Sequence, residues 1–160
     1  MTAVRLTVAS APAMAAVGRG LARLLRAGDL VVLDGPLGAG KTTLTRGLGE
    51  GLQVRGDVSS PTFVIARRHR AGGSAPALLH IDAYRVSSEE LADLELDAEA
   101  ADCVAVVEWG RGKVEGWGQD RLEVRIALDD ADPDGPRTVT ITGIGPRWAD
   151  ARLAEGVTAP

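Results

Sequence analysis

The chain has 160 residues, 45% hydrophobic and 25% charged, which is enough to bury one sizeable core and predicts a single soluble domain over residues 1–160. A net charge of −4 argues against a surface given over wholly to nucleic acid, and no stretch holds the roughly 18 apolar residues of a membrane span. With no basic start and apolar run at the N-terminus the chain reads as cytoplasmic, and its single cysteine, Cys103, excludes an internal disulfide and a cysteine-based zinc site.

The opening "VRLTVAS" alternates as a strand does. "APAMAAVGRGLARLLRAGD" then sets Met14, Val17, Leu21, Leu24 and Leu25 on one helical stripe, with Ser10 as N-cap and "AGD" as the stop. The apolar run 30–34, "LVVLD", predicts a buried strand, and residues 41–52 continue as a helix after a glycine loop. "TFVIARRHR" and "ALLHIDAY" read as two strands joined by a glycine and proline hairpin. Ser87 and Glu90 have capping-box spacing and start another helix. "CVAVVEW" is a further apolar strand that takes up Cys103 as a small buried hydrophobe, and a glycine-rich loop follows from Gly110 to Gly118. "RLEVRIAL" and "RTVTITGI" alternate strictly about the turn "DDADPDGP", so they form an antiparallel pair. Residues 146–160 read as a peripheral helix or tail.

The loop "GPLGAGKTT" fits G-x-x-x-x-G-K-[ST] through Gly35, Gly40, Lys41 and Thr42. Glycines allow successive N–H groups to point at phosphate oxygens, and the following helix adds the positive end of its dipole. Leu37, Gly38, Ala39, Gly40, Lys41, Thr42 and Thr43 are therefore the candidate nucleotide cradle, with the Lys41 ammonium on the outer phosphates and the Thr42 hydroxyl on Mg²⁺. Lys41 is one of only two lysines beside 16 arginines. A compact ammonium fits a closed cradle where a planar guanidinium does not. A P-loop also needs a carboxylate at a neighbouring strand end, and Asp82 and Glu108 both stand at the exit of apolar runs. Neither lysine lies in the Asn/Thr-Lys-x-Asp pattern of guanine recognition, which favours ATP over GTP. His80 reads as hydrogen-bonded structure more readily than as a metal ligand. Arg67, Arg68 and Arg70 are candidate contacts to RNA phosphates, weighed against a solvated charged run at a hairpin.

"GDLVVLDGPLGAGKTTLTRGLGEGL", "SSPTF", "HIDAYR" and "VEWG", in that order and spacing, resemble the bacterial TsaE (YjeE) family of tRNA threonylcarbamoyladenosine biosynthesis. The resemblance implies a single-domain α/β P-loop NTPase with a mixed parallel and antiparallel sheet flanked by helices. It implies ATP and Mg²⁺ as cofactors, slow ATP hydrolysis, and action on a TsaB–TsaD protein pair. By motif, Lys41, Glu108 and Thr62 are the catalytic candidates and Thr42, Asp82 and Glu108 the metal set. Trp109 is placed beside the nucleotide, and Ser60 and Thr62 fall in a loop that senses the terminal phosphate. Arg111 stands where the family often has an acid, so a role for an acid there does not transfer. The rival reading is a small-molecule kinase built on the same loop.

Overall fold

A continuous seven-stranded sheet carries the site on the carboxyl ends of its central parallel strands, in a computed structural model that describes residues 2–59, 65–149 and 152–158. The strands are β1 (Thr2–Val8), β2 (Leu30–Asp34), β3 (Ala66–His69), β4 (Ala77–Asp82), β5 (Cys103–Glu108), β6 (Arg121–Ala127) and β7 (Arg137–Ile144). Their order is β1-β7-β6-β2-β5-β4-β3. β2 runs parallel to β5 and β6, and β5 parallel to β4, whereas β1–β7, β6–β7 and β3–β4 pair antiparallel. This is the mixed α/β sheet that the resemblance implies.

Burial follows from position in the sheet. β5 is covered on both faces and is buried along its whole length, so it reads as an unbroken apolar run. β6 has one face open and alternates. Cys103 is fully buried within β5, and burial raises its thiol pKa.

Among the described residues five helices flank the sheet: α1 (Ala11–Ala22), α2 (Lys41–Gly51), α3 (Ser88–Asp93), α4 (Leu96–Ala100) and α5 (Leu153–Thr158). Among the described residues, no helix is long and apolar enough to cross a membrane. Ser10 caps α1 by accepting the Ala13 N–H, and Met14, Val17 and Leu21 of its stripe are buried. The helix stops at Ala22, short of the "AGD" stop expected from the sequence. Tighter turns take over there, with Arg23 N–H bonded to Gly20 O and Leu24 N–H to Leu21 O, before the Asp29 carboxylate accepts the Arg26 N–H. At α3 the Ser87 hydroxyl accepts the Glu90 N–H and donates to the Glu90 carboxylate. Glu95, at φ 52°, then breaks the segment into α3 and α4.

α1 and α2 cross with their backbones in contact. A Cβ on Gly18 would lie 2.0 Å from Leu44 O, and one on Gly47 2.0 Å from Ala15 O. Gly47→Ala would gain about 1 kcal/mol in helix propensity. The overlap of a methyl with backbone costs roughly 3 kcal/mol, since neither helix can yield a flexible side-chain end. The expected net result is a loss of about 2 kcal/mol, seen in a thermal melt as a fall of roughly 4–8 °C. A melting temperature unchanged or raised would mean that the helices separate freely.

The C-terminal segment is more deeply integrated than a peripheral tail. Trp148, Leu153 and Val157 are buried and belong to the core cluster that contains α1 and α2. The Arg147 guanidinium fastens the segment by bonding both Asp29 oxygens, at 3.2 and 3.0 Å, and Leu24 O at 2.8 Å. Such a bidentate, partly buried pair adds geometric definition as well as energy.

Candidate functional site

Parallel register brings the candidate residues to one level. Leu33 pairs with Glu108 and Asp82 pairs with Glu108 across the adjacent strands, so the ends of β2, β5 and β4 are flush where the chain turns into the glycine loop. Ligands of open α/β sheets bind outside the carboxyl ends of the strands. A cavity of about 260 Å³ lies there, lined by Leu37, Gly38, Gly40, Lys41, Thr42, Thr43, Asp82, Glu108 and Trp109.

The loop takes its shape from two glycines in the left-handed region, Gly38 at φ 77° and Gly40 at φ 114°, and Gly40 is the residue from which α2 starts. Lys41 is buried at the first turn, and its Nζ donates to Gly35 O at 2.6 Å and Pro36 O at 3.0 Å. The ammonium also sits 4.2 Å from the centroid of the Trp109 ring. Burial lowers the lysine pKa, opposed by attraction to Glu108, then Asp34, then Asp82. Two of its three protons are thus committed to the loop's own carbonyls, which aims the head group and leaves the third for an acceptor in the cavity.

Glu108 is buried at the end of β5 and bridges two elements. Its Oε1 accepts from Thr42 Oγ1 at 3.4 Å, and its Oε2 lies 2.6 Å from His80 Nε2. Asp82 is partly exposed, and its Oδ1 accepts the Tyr84 N–H at 3.0 Å, a local turn that orients the carboxylate. Trp109 has φ 61°, an uncommon conformation for a bulky residue, held by its N–H to Leu33 O at 3.0 Å and by Tyr84, whose ring is 4.9 Å away. Trp109 therefore stands over the lysine at the cavity wall.

The structure gathers Lys41, Thr42, Asp82, Glu108 and Trp109 around one cavity, while Ser60 and Thr62 lie outside the described residues. Among the described residues no group of three or more His, Cys, Asp or Glu side chains could hold a metal ion by itself. The set of a threonine hydroxyl and two carboxylates nevertheless fits Mg²⁺, a hard cation that takes one or two carboxylates and draws its other ligands from phosphates and water. Arg111 pairs with Asp34 at 3.5 Å, on the residue that precedes the loop, and Arg125 reaches the same carboxylate at 3.6 Å. Arg67 and Arg68 lie exposed on edge strand β3, where Arg68 pairs with Glu99 at 3.6 Å.

Sequence reasoning missed a second hollow of about 260 Å³ that shares Gly38, Gly40 and Thr43 with the first and is completed by Ser10, Met14, Asp134 and Arg137. The Arg137 guanidinium touches the loop at Gly38 O, 3.5 Å away. No local pattern marks these residues, because they come from the β1–α1 junction and the β6–β7 turn and meet the loop only in the folded chain. His80 was noted in the sequence, but its bond to Glu108 was not foreseen.

The fold defines a single-domain protein of the α/β class, with a mixed seven-stranded sheet flanked by helices and a glycine loop at the strand ends. The profile of the family described as "Threonylcarbamoyl adenosine biosynthesis protein TsaE" matches residues 8–138, and the chain belongs to that family. It is 61% identical over 145 residues to "tRNA threonylcarbamoyladenosine biosynthesis protein TsaE" of Streptomyces coelicolor, covering 88% of this chain and 97% of that one. It is 37% identical over 134 residues to the protein of the same name from Bacillus subtilis, covering 83% and 81%. The crystal structure of Bacillus subtilis YdiB is similar to it with a TM-score of 0.77 at 29% identity, covering 98% of this chain and 94% of that one.

Proposed function

We propose that this chain binds ATP with Mg²⁺ and hydrolyses it slowly as the cytoplasmic TsaE subunit of tRNA threonylcarbamoyladenosine synthesis, acting on a TsaB–TsaD pair. The observation that carries the reading is the convergence of the Lys41 ammonium, the Thr42 hydroxyl and the Asp82 and Glu108 carboxylates on one cavity at the strand ends. The triphosphate would lie along the loop N–H groups from Leu37 to Thr43, with the ribose and base in the hollow beyond Thr43. Thr42, Asp82 and Glu108 would hold Mg²⁺, which supplies neutralisation of the charge on the outer phosphates. Lys41, with its head group aimed by Gly35 O and Pro36 O, binds the outer phosphates and stabilises charge as the bond to the leaving group breaks. Glu108 orients a water for attack and accepts its proton.

Free phosphate released from ATP with no added acceptor is the result expected of this chain. Phosphate appearing only on an added metabolite would favour the kinase reading.

Partner action adds a second expected result. Hydrolysis in such sites depends on positioning, so a partner that prefers the ATP form raises nucleotide affinity by the factor by which ATP raises partner affinity. Titrating the TsaB–TsaD pair with and without a non-hydrolysable ATP analogue measures that factor. Equal affinities, with no change in phosphate release, would remove the partner-coupled reading.

A further inference from the structure

We infer that His80 is a positioning residue for Glu108: its ring holds one carboxylate oxygen so that the other faces Thr42 and the phosphate cavity. The inference rests on the reading of Glu108 as the group that orients the hydrolytic water.

The pattern H-x-D on β4 places His80 and Asp82 on the same face of the sheet, and parallel pairing with β5 puts Glu108 opposite Asp82 and diagonal to His80. His80 is fully buried. Among the described residues its ring makes one hydrogen bond, between Nε2 and Glu108 Oε2 at 2.6 Å, and Nδ1 is buried with no partner. An ionised carboxylate can only accept, so Nε2 carries the proton. Nδ1 is then a bare lone pair, and an unpaired acceptor is somewhat less rare in a protein interior than an orphaned N–H. A proton on Nε2, donated to Glu108 Oε2, accounts for the short bond.

A structural reading alone does not account for this choice of residue. A buried polar ring costs stability unless it is paired, and an apolar side chain of similar size would fill the same space without that cost. Among the described residues, the ring's one hydrogen bond goes to Glu108. The effect on that side chain is specific: of its two oxygens, Oε2 is occupied by the ring and Oε1 is left toward Thr42 Oγ1, 3.4 Å away. A glutamate at a strand end without such an anchor has three rotatable bonds with which to leave this orientation. Partners of this kind behind a functional carboxylate typically change activity by about 10- to 100-fold when removed.

Two variants and one spectroscopic measurement test the idea. His80→Leu should slow phosphate release from Mg²⁺-ATP by about 10- to 100-fold with the ATP dissociation constant changed by less than about threefold, because the loop supplies most of the contacts to the triphosphate and Thr42 and Asp82 remain to hold Mg²⁺ when Glu108 loses its anchor. His80→Gln, whose amide reaches the place of Nε2, should recover most of the rate. A wild-type rate in His80→Leu, a proportional loss of affinity and rate, or a glutamine variant no better than leucine would each overturn the inference. The nucleotide-free protein offers an independent readout, since the chain has only two histidines. Side-chain nitrogen NMR should show His80 as the Nε2–H tautomer with a hydrogen-bonded proton, and Glu108→Ala should abolish that hydrogen-bond signature. An Nδ1–H tautomer, or a signature unchanged in Glu108→Ala, would overturn the inference even if His80→Leu failed to fold. Absence of phosphate release from the wild-type chain would instead sink the ATPase reading, while the NMR result would still decide whether the ring anchors Glu108.

Discussion

Lys41→Ala is expected to erase the thermal stabilisation conferred by Mg²⁺-ATP. A ligand that binds only the folded loop, supplied at about 100 times its dissociation constant, stabilises the wild-type chain by roughly 2.7 kcal/mol. For a chain of this length that is a rise of about 5–10 °C in melting temperature. The variant loses a side chain that the loop itself aims, through Gly35 O and Pro36 O, toward the cavity at the strand ends. Because Lys41 is buried and its burial opposes the charge, the variant's own baseline can move in either direction. The quantity to read is therefore the shift on adding nucleotide, each protein against itself. A shift retained in Lys41→Ala, or one larger with GTP than with ATP, would contradict the assignment of this loop to ATP.

Glu108→Gln should have the largest effect on turnover and a small one on binding. Glutamine keeps the shape of the side chain, so the Thr42 and His80 contacts can persist, but it cannot take a proton from water. Loss of a positioned base costs about 10²- to 10⁴-fold in rate. Asp82→Asn should instead weaken nucleotide binding mainly when Mg²⁺ is present, because Asp82 stands at the edge of the cavity, oriented by the Tyr84 N–H, where a cation on the phosphates would meet it. Single-turnover phosphate release separates the two from equilibrium binding measured with and without Mg²⁺. Equal loss of binding in both variants would abolish the division of labour between the carboxylates.

Much of this site was readable from local pattern. The glycine loop sits between an apolar run and a helical stretch, and its chemistry needs only residues close in sequence. Asp82 and Glu108 were legible for a related reason, since a carboxylate at the end of a fully apolar run marks the place where a buried strand emerges. Ser10 and Ser87 as helix caps were equally local. The end of α1 was not, because the decision to stop at Ala22 depends on tertiary partners: Arg147, far along the chain, takes Leu24 O, and Asp29 gathers both Arg147 and the Arg26 N–H. The packing of the C-terminal segment rests on the same ground. Trp148, Leu153 and Val157 show their value only once α1 supplies the surface that buries them.

The sequence by itself determined the cradle, the carboxylate pair and the alternation of strands and helices, since each rests on backbone conformation or periodicity over a few residues. Tertiary structure alone decided how these parts face one another. Parallel register set Leu33, Glu108 and Asp82 at one level, and the glycine contact between α1 and α2 replaced helix propensity with close backbone packing. The β6–β7 turn brought Arg137 to the loop, and the diagonal across β4 and β5 turned a buried histidine into the anchor of Glu108. The physical reason is common to all four: a contact between residues distant in sequence becomes favourable only after the sheet has paid the chain entropy that separates them, and no local pattern encodes that sum.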